Sequence, residues 1–222
     1  MNIRLSAIEA RIIGSLIEKQ ITTPDQYPLS LNALVNACNQ KSNREPLMQL
    51  AEPDVKQTLD GLSRRHLVVE KSGFGSRVQK YQQIFCNTEF GSLKFTPQET
   101  AIICELLVRG PQTPGELRAR VARMAELSDP SVIETLLQGL ASRPEGALVA
   151  QLPREAGRRD SRWAQLFEEL PEVSAAPEAP LRTDAPVPRA PAGELAARVA
   201  ALESELAALR AEIAQLKGER SA

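Results

Sequence analysis

The chain has 222 residues, with 27 Lys+Arg against 28 Asp+Glu, a single histidine and three cysteines. A net charge of −1 excludes the strong basic excess that histone-like, RNA-coating or membrane-surface proteins need. His66 alone leaves almost no material for a His-based zinc site or a Ser-His-Asp triad, and no apolar run approaches the roughly 20 residues of a membrane span.

Met1 is not followed by the apolar stretch of a signal peptide. Cys38, Cys86 and Cys104 stand far apart without a CxxC pair, the pattern of reduced, buried thiols. The expectation is a cytoplasmic, non-catalytic protein with no cofactor, no metal site and no membrane partner.

The first helix is announced by Ser6 and Glu9, spaced as a capping box, and by Ile8, Ile12, Ile13, Leu16 and Ile17 at helical intervals. After a proline-containing connection, Ser30 caps a short second helix, Leu31 to Cys38. A third opens at Glu52-Pro53-Asp54, where the missing proline N–H does no harm, and its apolar face is Val55, Leu59 and Leu62. Leu67-Val68-Val69 and the stretch Val78 to Phe85 then flank Ser72-Gly73-Phe74-Gly75-Ser76, a β-hairpin signal.

The same order returns ninety positions after the first helix start. Thr96 with Glu99 repeats the capping box, ahead of Ala101, Ile102, Leu106 and Leu107. Thr113 with Glu116 caps a second helix running to about Met124, and Asp129-Pro130-Ser131 opens a third with the face Ile133, Leu137 and Leu140. The stretches Leu148 to Leu152 and Arg162 to Phe167 flank a loop holding Gly157-Arg158-Arg159, and Tyr81 and Phe85 recur as Trp163 and Phe167. Three helices and a hairpin, repeated, predict an α+β, mostly α fold of tandem winged-helix domains, residues 1–90 and 91–170.

Composition changes near residue 170. Residues 171–192 hold six of the sixteen prolines and few large apolar side chains, as an extended Pro/Ala linker does. Residues 193–220 then read as a coiled-coil helix: Leu195, Leu202, Leu209 and Leu216 take the d positions, with Val199, Leu206 and Ile213 at a. In a parallel dimer the facing pairs Arg198–Glu203, Glu205–Arg210 and Glu212–Lys217 are all opposite in sign. A parallel coiled-coil homodimer is therefore expected, with a helix folding back on the globular part as the alternative.

The segments Cys38-Asn39-Gln40-Lys41-Ser42-Asn43-Arg44-Glu45-Pro46, Ser72-Gly73-Phe74-Gly75-Ser76-Arg77-Val78, Phe85-Cys86-Asn87 and Gln112-Thr113-Pro114-Gly115-Glu116-Leu117-Arg118 resemble the YceH-like family of bacterial proteins. The resemblance covers residues 3–168 and implies a tandem winged-helix fold. It supplies no activity, and it does not extend to the linker or the terminal helix.

A winged helix contacts DNA through its third helix, with the hairpin as a second contact. In the first half that nominates Lys56, Gln57, Arg64 and Arg65 on the helix, Lys41, Asn43 and Arg44 in the loop before it, and Lys71, Arg77 and Lys80 around the hairpin. The second half offers Arg158 and Arg159 at its hairpin loop, while its third helix has no basic residue before Arg143. Residues 1–90 hold eleven Lys/Arg against nine Asp/Glu, so charge alone does not decide. The leading expectation is a dimeric protein that binds double-stranded DNA as a regulator, and the alternative is a scaffold whose winged helices dock other proteins.

Overall fold

In a computed structural model of the chain, the described residues are 3–71, 78–127, 129, 131–155, 157 and 160–168. The expected linker 171–192 and the expected coiled-coil segment 193–220, with Leu195, Val199, Leu202, Leu206, Leu209, Ile213 and Leu216, lie outside them. The protein is a mixed α+β structure whose described residues hold six α-helices and small antiparallel sheets.

Helix α1, Ala7–Thr22, starts as its sequence dictates: Glu9 N–H donates to Ser6 Oγ (3.3 Å) and Ser6 N–H to Glu9 Oε2 (2.8 Å). A single 3₁₀ turn, Pro24–Gln26, leads to strand β1, Leu29–Ser30, and to α2, Leu31–Cys38, capped by Ser30. Helix α3, Glu52–Arg64, has no side-chain cap at Ala51 and carries Pro53 in its first turn. Strands β2, Val68–Lys71, and β3, Lys80–Gln83, form the hairpin, and β1 adds to the other side of β3 in the order β1-β3-β2. Two-residue β1 was invisible in the sequence because Ser30 reads as a helix cap. Its Leu29 is buried opposite Tyr81.

The second half repeats this plan with α4, Pro97–Arg109, α5, Pro114–Val121, α6, Val132–Ala141, and strands β4, Val149–Gln151, and β5, Trp163–Gln165. The counterpart of β1 is one residue: Gln112 exchanges both backbone hydrogen bonds with Trp163 (3.0 and 2.7 Å). Helix α5 ends at Val121, short of Met124, because residues 122–124 turn.

The halves share one hydrophobic core, centred on α1 and α4. Both helices bury nearly their whole circumference in the middle, Ala10 to Glu18 and Thr100 to Val108, which an amphipathic surface helix does not do. They meet at Gly14. A Cβ there would stand 2.7 Å from Val108 Cγ1 and 2.9 Å from Leu107 Cβ, so only glycine admits this approach. Cys104 Sγ–H donates to the Gly14 carbonyl (3.3 Å) across the contact. The repeat-related Phe85 and Phe167 touch edge to face, with centroids 5.0 Å apart.

Repeat-related side chains also do the same work. Arg65, just after α3, donates to Glu9 Oε1 (2.8 Å) and to the Arg4 carbonyl. Arg143, just after α6, donates to Glu99 Oε1 (2.8 Å) and to the Lys94 carbonyl (3.0 Å). In each half the third helix is thereby clamped to the capping box of the first.

Candidate nucleic-acid interface

Helix α3 buries Val55, Leu59 and Leu62 at helical spacing, which turns Gln57, Asp60 and Arg64 to solvent. Lys56 lies at the edge of that face. Its Nζ reaches Asp60 Oδ1 (2.7 Å) and sits 5.6 Å from the centre of the Tyr81 ring, and the bond to Asp60 holds its ammonium above the usual lysine range. An exposed i,i+4 pair of this kind contributes at most about 0.5 kcal/mol, so Asp60 does not lock Lys56 away.

On the hairpin, Lys71 stands directly opposite Lys80, and both are exposed. Strand alternation puts them on the sheet face away from Tyr81, at the end of the ladder next to the 72–79 connection, while Glu70 shares the Tyr81 face. Like charges directly across a ladder repel. Arg64, Lys71, Lys80 and Lys41, the last exposed in the loop 39–51, make no ion pair among the described residues. These groups form two sets, the α3 stripe and the hairpin end, with Lys56 against Tyr81 linking helix to sheet.

Three expected contacts have partners within the fold, and of these Arg44 is buried while Arg65 is exposed. Arg44 is buried: it pairs with Glu18 and donates through Nε to the Ala37 carbonyl (2.9 Å), so it cannot reach a phosphate. Asn43 takes a left-handed conformation (φ 58°), and its Oδ1 accepts from Arg109. Arg65 is the clamp on Glu9 and Arg4 described above. Arg77, Arg158 and Arg159 lie outside the described residues.

What sequence reasoning missed is a buried ionic cluster joining the halves. Glu18 of α1 and Glu105 of α4 are almost completely buried, and Arg123, after α5, bridges them at 2.6 and 2.7 Å. Arg44 closes the cluster on Glu18, and Arg109 Nε lies 3.1 Å from Glu105 Oε2. Burial alone would raise the Glu18 carboxyl, but Arg44 and Arg123 outweigh it and hold the group below the usual carboxylate range. A signal existed: Glu18 and Glu105 interrupt the most apolar stretches of their helices, where a charge survives only if paired.

The second half presents a different surface. Helix α6 exposes Glu134, Thr135, Gln138 and Gly139, without a basic side chain. On α5, Arg118 is exposed, while Arg120 hydrogen-bonds Gln112. Among the described residues no group of three or more His, Cys, Asp or Glu is placed to hold a metal ion, and no helix is long and apolar enough to cross a membrane. Cys38, Cys86 and Cys104 are buried free thiols. Burial pushes Cys38 up to about 11 and Cys86 up to about 12, which keeps them protonated and unreactive.

Comparison with known proteins places this geometry in a bacterial context. Residues 5–158 match a family model described as "Protein of unknown function, DUF480". The "UPF0502 protein" of Vibrio campbellii is 57% identical over 183 residues, spanning 81% of this chain and 84% of that protein. The "UPF0502 protein YceH" of Escherichia fergusonii is 55% identical over 206 residues, 92% of each chain. The "UPF0502 protein" of Cronobacter sakazakii is 53% identical over 207 residues, 91% of each.

Proposed function

The chain belongs to the family described as "Protein of unknown function, DUF480", and for it we propose double-stranded DNA binding through the first half, in the service of gene regulation. Helix α3 enters the groove and the β2–β3 hairpin holds the backbone. The observation that carries this reading is the exposed Lys71–Lys80 step, without an ion pair among the described residues, on the hairpin of the same half whose helix α3 exposes Gln57 and Arg64. A guanidinium and an amide are the groups that read base edges, and lysines on a hairpin suit phosphate.

The element order supports it: helix, strand, two helices and two strands, with the first strand added to the hairpin, is the plan of a winged helix. The second half repeats the plan but turns a neutral-to-acidic helix outward, so the reading assigns DNA to the first half alone. The heptads of 193–220 support pairing of two chains, which would present two such readers and add avidity.

The test is fluorescence anisotropy of the full chain with random duplex DNA at low and moderate salt. Binding at low salt that falls when Arg64→Ala is introduced supports the proposal, and no binding at low salt refutes it. Leu209→Pro yields a monomer by light scattering if the terminal helix pairs two chains; a wild type that is already monomeric refutes the pairing.

A second reading, protein docking, draws on different residues. Phe90 is 93% exposed and Leu47 66% exposed, and outward α6 lacks basic groups. A partner recovered with the full chain after nuclease treatment, and lost on Phe90→Ser, would favour this reading over DNA.

A further inference from the structure

One cavity belongs to neither half alone. It holds about 200 Å³ and lies between the start of α1, the loop leading into α3, the end of α4 and β5. Its wall is mainly apolar, with Pro46, Met48, Leu107 and Ala164. Three charged groups also line it, Arg11, Glu45 and Glu168, and neither Arg11 nor Glu168 has an ionic partner among the described residues.

Arg11 is 1% exposed. Its Nη1 and Nη2 donate to the carbonyls of Cys38 (3.1 Å) and Pro46 (2.6 Å), while the buried Nε has no acceptor. Backbone carbonyls satisfy donors without neutralising charge, so a full guanidinium charge remains in a poorly solvated place. Glu168 is half-buried, accepts from Gln165 Nε2 (2.6 Å), and feels Arg11 without pairing with it. Burial pushes its carboxyl up, and the Gln165 bond and the Arg11 charge offset this only in part. Glu45, also on the lining, is exposed.

We propose that this cavity binds a free amino acid with a small apolar side chain, its carboxylate toward Arg11, its ammonium on Glu168 and its side chain against Met48 and Leu107. A zwitterion is the ligand class that meets both stranded charges at once. An inorganic anion would leave Glu168 unmatched, and a simple amine would leave Arg11 so. A dry cavity of about 150 Å³ accepts benzene, so about 200 Å³ has room for an aliphatic side chain of leucine's size. The proposal stands apart from DNA binding, because occupancy is measured on the protein alone.

Calorimetric titration of the full chain with L-leucine tests it, beside 3-methylbutylamine, which lacks the carboxylate, and 4-methylpentanoate, which lacks the ammonium. Leucine binds, and each analogue binds at least about tenfold more weakly, since each forfeits a charge-assisted contact. Glu168→Gln, a change at a half-exposed position, lowers leucine affinity about tenfold and leaves 4-methylpentanoate affinity unchanged. In NMR spectra, leucine shifts the Arg11 Nε–H resonance. The proposal is overturned if leucine shows no binding at about 1 mM, if either analogue matches it, or if Glu168→Gln leaves leucine affinity as it was.

Discussion

Replacing Gly14 by alanine tests how the two halves are joined. In an ordinary helix interior this change stabilises by about 0.5–1 kcal/mol, because glycine loses more backbone freedom on folding. Here the new methyl would lie 2.7 Å from Val108 Cγ1 and 2.9 Å from Leu107 Cβ, well inside the roughly 3.5–4.0 Å of a comfortable carbon contact. Val108 can turn its side chain, but Leu107 Cβ is fixed to the backbone of α4, so that helix must move. Overpacking of this kind costs about 1–3 kcal/mol, and the sign reverses. At Gly61, in α3, and Gly139, in α6, an added methyl would meet nothing within 4 Å, so Gly61→Ala and Gly139→Ala gain the ordinary increment. Thermal unfolding reads the contrast at about 2–4 °C per kcal/mol: Gly14→Ala melts lower than wild type, and the two controls melt slightly higher. A Gly14→Ala protein as stable as wild type would refute the close α1–α4 approach.

Other consequences concern charge. Arg44→Met removes one of the two guanidinium partners of Glu18, in a site where the pair's side chains are 0% and 2% exposed, while Arg123 stays at 2.6 Å, and urea denaturation should register a loss of about 1–3 kcal/mol, the usual result of leaving buried hydrogen-bonding groups unsatisfied; an unchanged stability would mean the pair is dispensable. Because the Glu18 carboxyl is held low, its stabilisation is present above the unfolded value near pH 4.3 and drains away as pH falls through the folded one. Stability followed by denaturation should therefore fall on acidification below about pH 4.3, with a shallower fall in Arg44→Met; equal slopes would contradict this assignment. For the DNA reading, each phosphate contact contributes about −0.9 to the slope of log affinity against log salt, so Lys71→Ala with Lys80→Ala should flatten that slope by about 2 units. An unchanged slope would remove the hairpin from the interface.

Much of the fold was legible because its signals are local. The capping boxes Ser6–Glu9, Thr96–Glu99 and Thr113–Glu116 form as spaced, and the apolar faces of α3 and α6 are the ones their periodicity marks. The hairpins stand where the strand patterns lie, though shorter, since hydrogen-bond register ends them before the apolar pattern does. The candidate site was legible only in part. Gln57, Arg64, Lys71 and Lys80 are exposed as their helical or strand phase requires, but Arg44, Asn43 and Arg65 sit in connections, where no periodicity says which way a side chain points.

The near-zero net charge shows the division best. Sequence alone determined the repeat, the helix starts, the apolar faces and the count of charges, because each depends on neighbours a few positions apart. Only the tertiary structure decided what those charges do. Arg11 and Arg44 are spent inside the protein, against backbone carbonyls and Glu18, and Arg123 reaches in from the surface to Glu18 and Glu105, while Lys71 and Lys80 are left facing each other on the outside. Partners such as Arg123 and Glu18 lie far apart in the chain, and the physical reason they meet is the packing of α1 on α4 at Gly14, a contact that no local pattern encodes.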